Sequence, residues 1–166
     1  MHILISKKYL TYYKYKVKCS IGKRGIGYKK KEGDLITPMG DYRIKYIFYR
    51  KDKIKGFKTK LKTVVIKKNM AWCNDSKSKN YNKLIKLPSN NSYEKLYRKE
   101  NIYDIILVLN YNMSPVIKNK GSAIFIHISK KNYKKTEGCV AVKKRDLIEI
   151  VKKLQKNTKV KIVNQK

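Results

Sequence analysis

Apolar and polar positions alternate at the start of the chain. Ile3-Leu4-Ile5, then Leu10 to Cys19 with Tyr13, Tyr15, Val17 and Cys19 at every second place, predict the opening strands of a half-buried sheet. The pattern continues over 42–49 and 63–67, with the lysine-rich stretch 51–62 between them as an exposed loop or hairpin arm. Segments 102–109 and 123–128 are unbroken apolar runs with the length and branching of central strands. The polar stretch 76–95, containing Asn90-Asn91-Ser92, reads as a long loop able to cover a site.

After Val142 the period changes. Leu147, Ile148, Val151 and Leu154 fall on one helical face, with Asp146 and Glu149 near the start and Lys152, Lys153 and Lys156 near the end, as the helix dipole favours. Val160-Lys161-Ile162-Val163 then reads as a closing strand. The pattern has no internal repeat, linker or heptad run, so the expectation is a mainly β domain over residues 1–166 with one C-terminal helix. With 166 residues and 42% hydrophobic content, such a domain can bury a core without metal or disulfide support. No run of 18 apolar residues occurs, so no transmembrane helix is expected, and Met1 to Lys7 is too short and too soon charged for a secretory signal.

A formal charge of +32 brings nucleic acid into view, since 43 basic residues against 11 acidic ones can neutralise many phosphates. The distribution argues otherwise. Lysine outnumbers arginine 38 to 5 and is spread along almost the whole chain, whereas base and phosphate recognition leans on the planar arginine fork. Nucleic acid is expected as a nonspecific partner at most. Anionic polymers in general would be attracted to such a surface. The spacing Gly22-x-x-Gly25-x-Gly27 is not followed by Gly-Lys-Ser/Thr, so it predicts turns rather than a phosphate cradle. Two histidines and three scattered cysteines make no metal-ligand spacing, no cofactor is implied, and no Gly-x-Ser-x-Gly occurs.

The candidate chemistry lies between His127 and Cys139. A thiol attacks as its thiolate and needs a proton acceptor within reach, together with donors for the oxyanion formed on the attacked carbonyl. His2 sits at the terminus, so His127 is the histidine placed to act as base. The glycine in Thr136-Glu137-Gly138-Cys139 lets the backbone turn inward, so the amides of Gly138 and Cys139 are candidate oxyanion donors. The competing reading makes Cys139 a buried small hydrophobe and His127 an ordinary strand residue. Cys19 and Cys73 read as free thiols, with pairing between them left open.

Thr136-Glu137-Gly138-Cys139, preceded by a histidine at a strand end, resembles the Ser/Thr-x-Gly-Cys signature of the L,D-transpeptidases of the YkuD type. Thr37-Pro38-Met39-Gly40-Asp41-Tyr42 is similar to a second mark of that family. Glu32-Gly33-Asp34, Trp72-Cys73-Asn74-Asp75, Tyr81-Asn82, Tyr103-Asp104 and Gly121 to Phe125 resemble a small single-domain branch, so the likeness spans most of residues 15–163. Three departures stand out: Glu137 where the family carries a second histidine, Ala141 where it carries an arginine or asparagine, and a spacing from His127 to Cys139 shorter than in most of the family.

The resemblance implies a β-sandwich of mixed sheets with the helix packed near the catalytic loop. It implies a peptidoglycan stem tetrapeptide as acyl donor, Cys139 as nucleophile, His127 as base oriented by a backbone carbonyl, and release of D-alanine. A monomer at the periplasm or cell envelope is expected with it. Substrate contacts stay open: Trp72 lines the cleft or sits in the core, Arg98 binds a stem carboxylate or pairs with Glu94, and Thr136 meets substrate or shapes the turn. Thr37, Pro38 and Gly40 are expected to fix a loop under the site. The alternatives are a carboxypeptidase or endopeptidase of the same fold that hydrolyses stems, and a basic binder of anionic polymers without chemistry.

Overall fold

The computed structural model describes residues 2–165. Its first half holds the strands β1 (His2–Ile5), β2 (Tyr9–Tyr12), β3 (Tyr15–Ser20), β4 (Ile26–Gly27), β5 (Thr37–Pro38), β6 (Gly40–Tyr49) and β7 (Thr63–Val65). Then come β8 (Met70–Cys73), β9 (Leu84–Lys86), β10 (Tyr93–Lys95), β11 (Ile105–Leu109), β12 (Phe125–Ile128) and β13 (Val140–Val142). The helix α1 (Lys144–Lys153) and strand β14 (Lys159–Ile162) follow.

Eight strands close into a ring in the order β11-β12-β13-β3-β2-β1-β14-β6, because β6 also pairs with β11, while β7 adds to the far half of β6. The joints β1 to β14, β12 to β13 and β6 to β7 are parallel and the others antiparallel, so the sheet is mixed. Closure leaves no free edge within the ring.

Side-chain alternation then sorts the residues into two cores. Ile105, Leu107 and Leu109 of β11, Ile126 and Ile128 of β12, and Val140 and Val142 of β13 share the first core with Leu147, Ile150 and Val151 of α1. Ile106, Val108 and Phe125, on the opposite face, meet Met70 and Trp72 from the three-stranded sheet β10-β8-β9 and Leu96 just after it. The expected mainly β architecture of mixed sheets with one helix is therefore present, the second layer being that small sheet.

Three details differ from the pattern reading. The run from Leu10 to Cys19 is a hairpin, because Tyr13 takes a left-handed φ of 54° and Tyr12 pairs with Tyr15 across the turn. The polar stretch 76–95 is not all loop: β9 and β10 flank β8 within it, and backbone pairing to a fully buried strand holds them despite their polar side chains. On α1 the buried stripe runs through Ile150, with Ile148 only partly covered. Cys19, Cys73 and Cys139 are all free; Cys19 lies in the ring and Cys73 in the second layer.

Candidate active site

The parallel pairing of β12 with β13 sets the site. It places His127 beside Ala141 in register. Side chains alternate between faces, so Cys139, two residues before Ala141, lies on the same face as His127 and one step along the sheet. Both residues line a cleft of about 340 Å³ where the ring meets the second layer. Lys29, Glu94, Arg98, Tyr103, Thr136 and Glu137 stand around them.

The loop before Cys139 is held by two threonines. Thr136 Oγ1 donates to the Cys139 carbonyl at 2.5 Å and accepts the Gly138 amide at 3.2 Å. Thr37 Oγ1 reaches the same carbonyl at 3.4 Å and accepts the Gly22 amide at 2.8 Å. The two sequence marks, a hundred residues apart, thus converge on one carbonyl oxygen. Gly138 has φ +139°, and a Cβ there would stand 3.0 Å from the Ile36 carbonyl, so no other residue fits this turn without strain.

This geometry assigns Thr136 to the turn itself. It also turns the Gly138 amide, expected as an oxyanion donor, toward the Thr136 hydroxyl. Thr37 braces the turn through its side-chain hydroxyl.

The sulfur and the imidazole are each tied to backbone. Cys139 Sγ donates to the Ala123 carbonyl at 3.1 Å and accepts the Phe125 amide at 3.4 Å. Ala123 is fixed in turn by Asn82, whose Oδ1 accepts the Ala123 amide at 3.1 Å and Trp72 Nε1 at 3.0 Å. The Asn82 amide nitrogen donates to the Tyr111 and Asn112 carbonyls, so every group on this buried side chain is satisfied. His127 is 7% exposed, and its Nδ1 lies 2.9 Å from the Ile128 carbonyl. A carbonyl only accepts, so Nδ1 carries the proton and Nε2 keeps its lone pair. The Tyr103 ring meets the imidazole edge-on at 5.3 Å, and its hydroxyl donates to Glu94 at 2.5 Å.

Electrostatics keep both groups neutral. Burial pushes the Cys139 thiol up to about 12, with the charge of Glu94 adding to it, while the Phe125 amide and Lys29 pull the other way. Burial pulls His127 down to about 4 against the Ile128 carbonyl, and Arg98 and Lys130 lower it further. Burial also raises the Glu94 carboxyl above its ordinary range, against the Tyr103 hydroxyl and Arg98.

Of the residues weighed for substrate contact, Arg98 lines the cleft, paired with Glu94 at 3.3 Å and stacked 5.0 Å from the Tyr103 ring centre. Trp72 does not line it. It is 2% exposed, packs edge-on against Phe125 at 5.4 Å, and supports the site from behind. Large apolar area and a partner for its indole N–H favour that burial. Glu94, Tyr103 and Asn82 are the site residues that pattern reading did not assign. Tyr103 and Asn82 belong to stretches that carried the family resemblance, whereas Lys29 is one lysine among 38 and had no signal.

A mixed β-sheet that holds a cysteine and a histidine on one face of a polar cleft has the layout that thiol-based acyl chemistry requires. The chain matches the YkuD family model, the L,D-transpeptidase catalytic domain, over residues 2–162, and it belongs to that family. It is an enzyme of the L,D-transpeptidase kind. No curated protein matches the chain.

Proposed function

We propose that this chain is a cysteine-dependent L,D-transpeptidase acting on peptidoglycan stem tetrapeptides, as a monomeric catalytic domain at the cell envelope. The observation that carries the reading is the shared face of Cys139 and His127, with His127 Nδ1 bonded to the Ile128 carbonyl and the Ile102 backbone also beside the ring, so that Nε2 is the nitrogen that takes the proton. Cys139 attacks the carbonyl of the bond between the L-centre and the terminal D-alanine. His127 takes the thiol proton and passes it to the departing amine, leaving a thioester. The Cys139 amide donates to the oxyanion. The lysines around the cleft attract the carboxylates of the stem. An amine from a second stem resolves the thioester and forms a cross-link.

The test is mass spectrometry of protein and products after mixing the protein with a tetrapeptide muropeptide, with and without an amine acceptor. D-alanine release with a cross-linked product is expected, and none from Cys139→Ala. Release with tripeptide alone, whatever the acceptor, makes the enzyme a hydrolase. Equal binding of anionic polymers by both proteins with no release from either leaves the basic-binder reading and overturns the enzymatic one.

A further inference from the structure

Lys29 and Asp34 form an ion pair at 2.5 Å inside the wall of the cleft, each side chain only 3% exposed. The pair is tightly framed. Asp34 also accepts the Lys30 amide at 2.7 Å and the Ile36 amide at 3.1 Å, and Lys29 Nζ reaches the Ile36 carbonyl at 3.5 Å. Although burial opposes it, Lys29 and these amides hold the Asp34 carboxyl below its ordinary range.

The lysine stem crosses Gly121, where a Cβ would stand 2.3 Å from its Cε, and Nζ ends 3.7 Å from where a Cβ of Gly138 would be. A buried ion pair is a poor source of stability compared with apolar residues of the same volume. Its placement against the Gly-Cys turn suits a different task. An ammonium has three N–H groups; Asp34 and Ile36 engage two, and Lys29 also lines the cleft.

We propose that Lys29 faces the oxyanion formed at Cys139, supplying the positive charge and donor that the Gly138 amide, bonded to Thr136, does not. This rests on the acyl-transfer reading above. In the step, the sulfur forms the C–S bond, the carbonyl π pair moves to oxygen, and the thiol proton goes to His127 Nε2. Collapse returns that pair, breaks the C–N bond, and delivers the proton from His127 to the leaving amine. Lys29 keeps all its protons and changes only the energy of the charged intermediate. Glu94 and Glu137, on the same cleft, act on the sulfur with the opposite sign, so Lys29 is the favourable charge beside an unfavourable pair. Glu32, also on the cleft, is occupied by the Tyr81 hydroxyl, and Arg98 is occupied by Glu94.

The experiment compares wild type with Lys29→Met/Asp34→Asn, which removes both charges and orphans neither, and with Lys29→Arg, which keeps the cation. Two readouts are taken: the pH profile of Cys139 alkylation by iodoacetamide without substrate, and kcat and KM for D-alanine release. The double variant is expected to lose about 100-fold in kcat with little change in KM and to alkylate more slowly than wild type at each pH, while Lys29→Arg recovers part of both. An unmoved alkylation profile, or a loss confined to KM, overturns the proposal. Should the double variant fail to fold by circular dichroism, Lys29→Gln carries the same test with a donor left for Asp34. If wild type releases no D-alanine, the acyl-transfer reading falls, while the alkylation profiles still decide whether Lys29 acts on the sulfur.

Discussion

Cys139 and His127 wait in uncharged form. Burial pushes the thiol up to about 12 and the imidazole down to about 4, so both favour their neutral forms before substrate arrives. The proton must move during attack, and a neutral Nε2 is ready to take it. The same burial links His127 to stability. Its folded value of about 4 lies below the ordinary 6.5, so the unfolded chain binds the proton first and stability falls as pH drops from 6.5 toward 4. The loss amounts to about 3 kcal/mol over that window. Thermal melts between pH 7 and 4 on wild type and His127→Gln should show a steeper decline in wild type. Parallel slopes would mean that the ring is not held neutral by the fold.

Among the elements, α1 offers the sharpest contrast. Ile150 is fully buried in the ring core and Ile148 only partly covered, one residue pair apart on the same helix. Ile150→Ala should cost about 3 kcal/mol and Ile148→Ala about 1 kcal/mol or less by urea unfolding. Equal losses would place the stripe where periodicity alone put it. That periodicity found the helix and three residues of its buried stripe, Leu147, Val151 and Leu154, but took Ile148 for the fourth where the structure buries Ile150, because apolar residues at 147, 148, 150 and 151 fit two nearby faces. The strands with clear alternation or long apolar runs, β1, β6, β11, β12 and β14, were legible for the same reason. β8 was not: Met70-Ala71-Trp72-Cys73 is buried on both faces and has no period to read. Cys139 and His127 were legible because they are rare residues in a short signature. Glu94, Tyr103 and Lys29 reach the site only through pairings that span tens of residues, which local pattern does not encode.

At the scale of the molecule, the ring closes late in the sequence. β14 sits between β1 and β6, so His2 finds its partner at Lys159 and Gly40 at Ile162. A chain ending at Gln155 would leave β1 and β6 with unpaired edges, and such edges aggregate. It should elute as aggregate and show no cooperative melt; a monomeric, cooperative product would mean that the remaining strands reclose. The strand directions also give the ring two unlike rims. Gly40, Ser20, Phe125 and Val140 stand at one, together with the end of β14 at Ile162, whereas His2 and Lys159 stand at the other. The mouth beside Cys139 therefore opens near the rim from which the chain departs after Ile162. A protein tethered to a surface through its first strand would present that mouth outward, and a bulky fusion after β14 would crowd it.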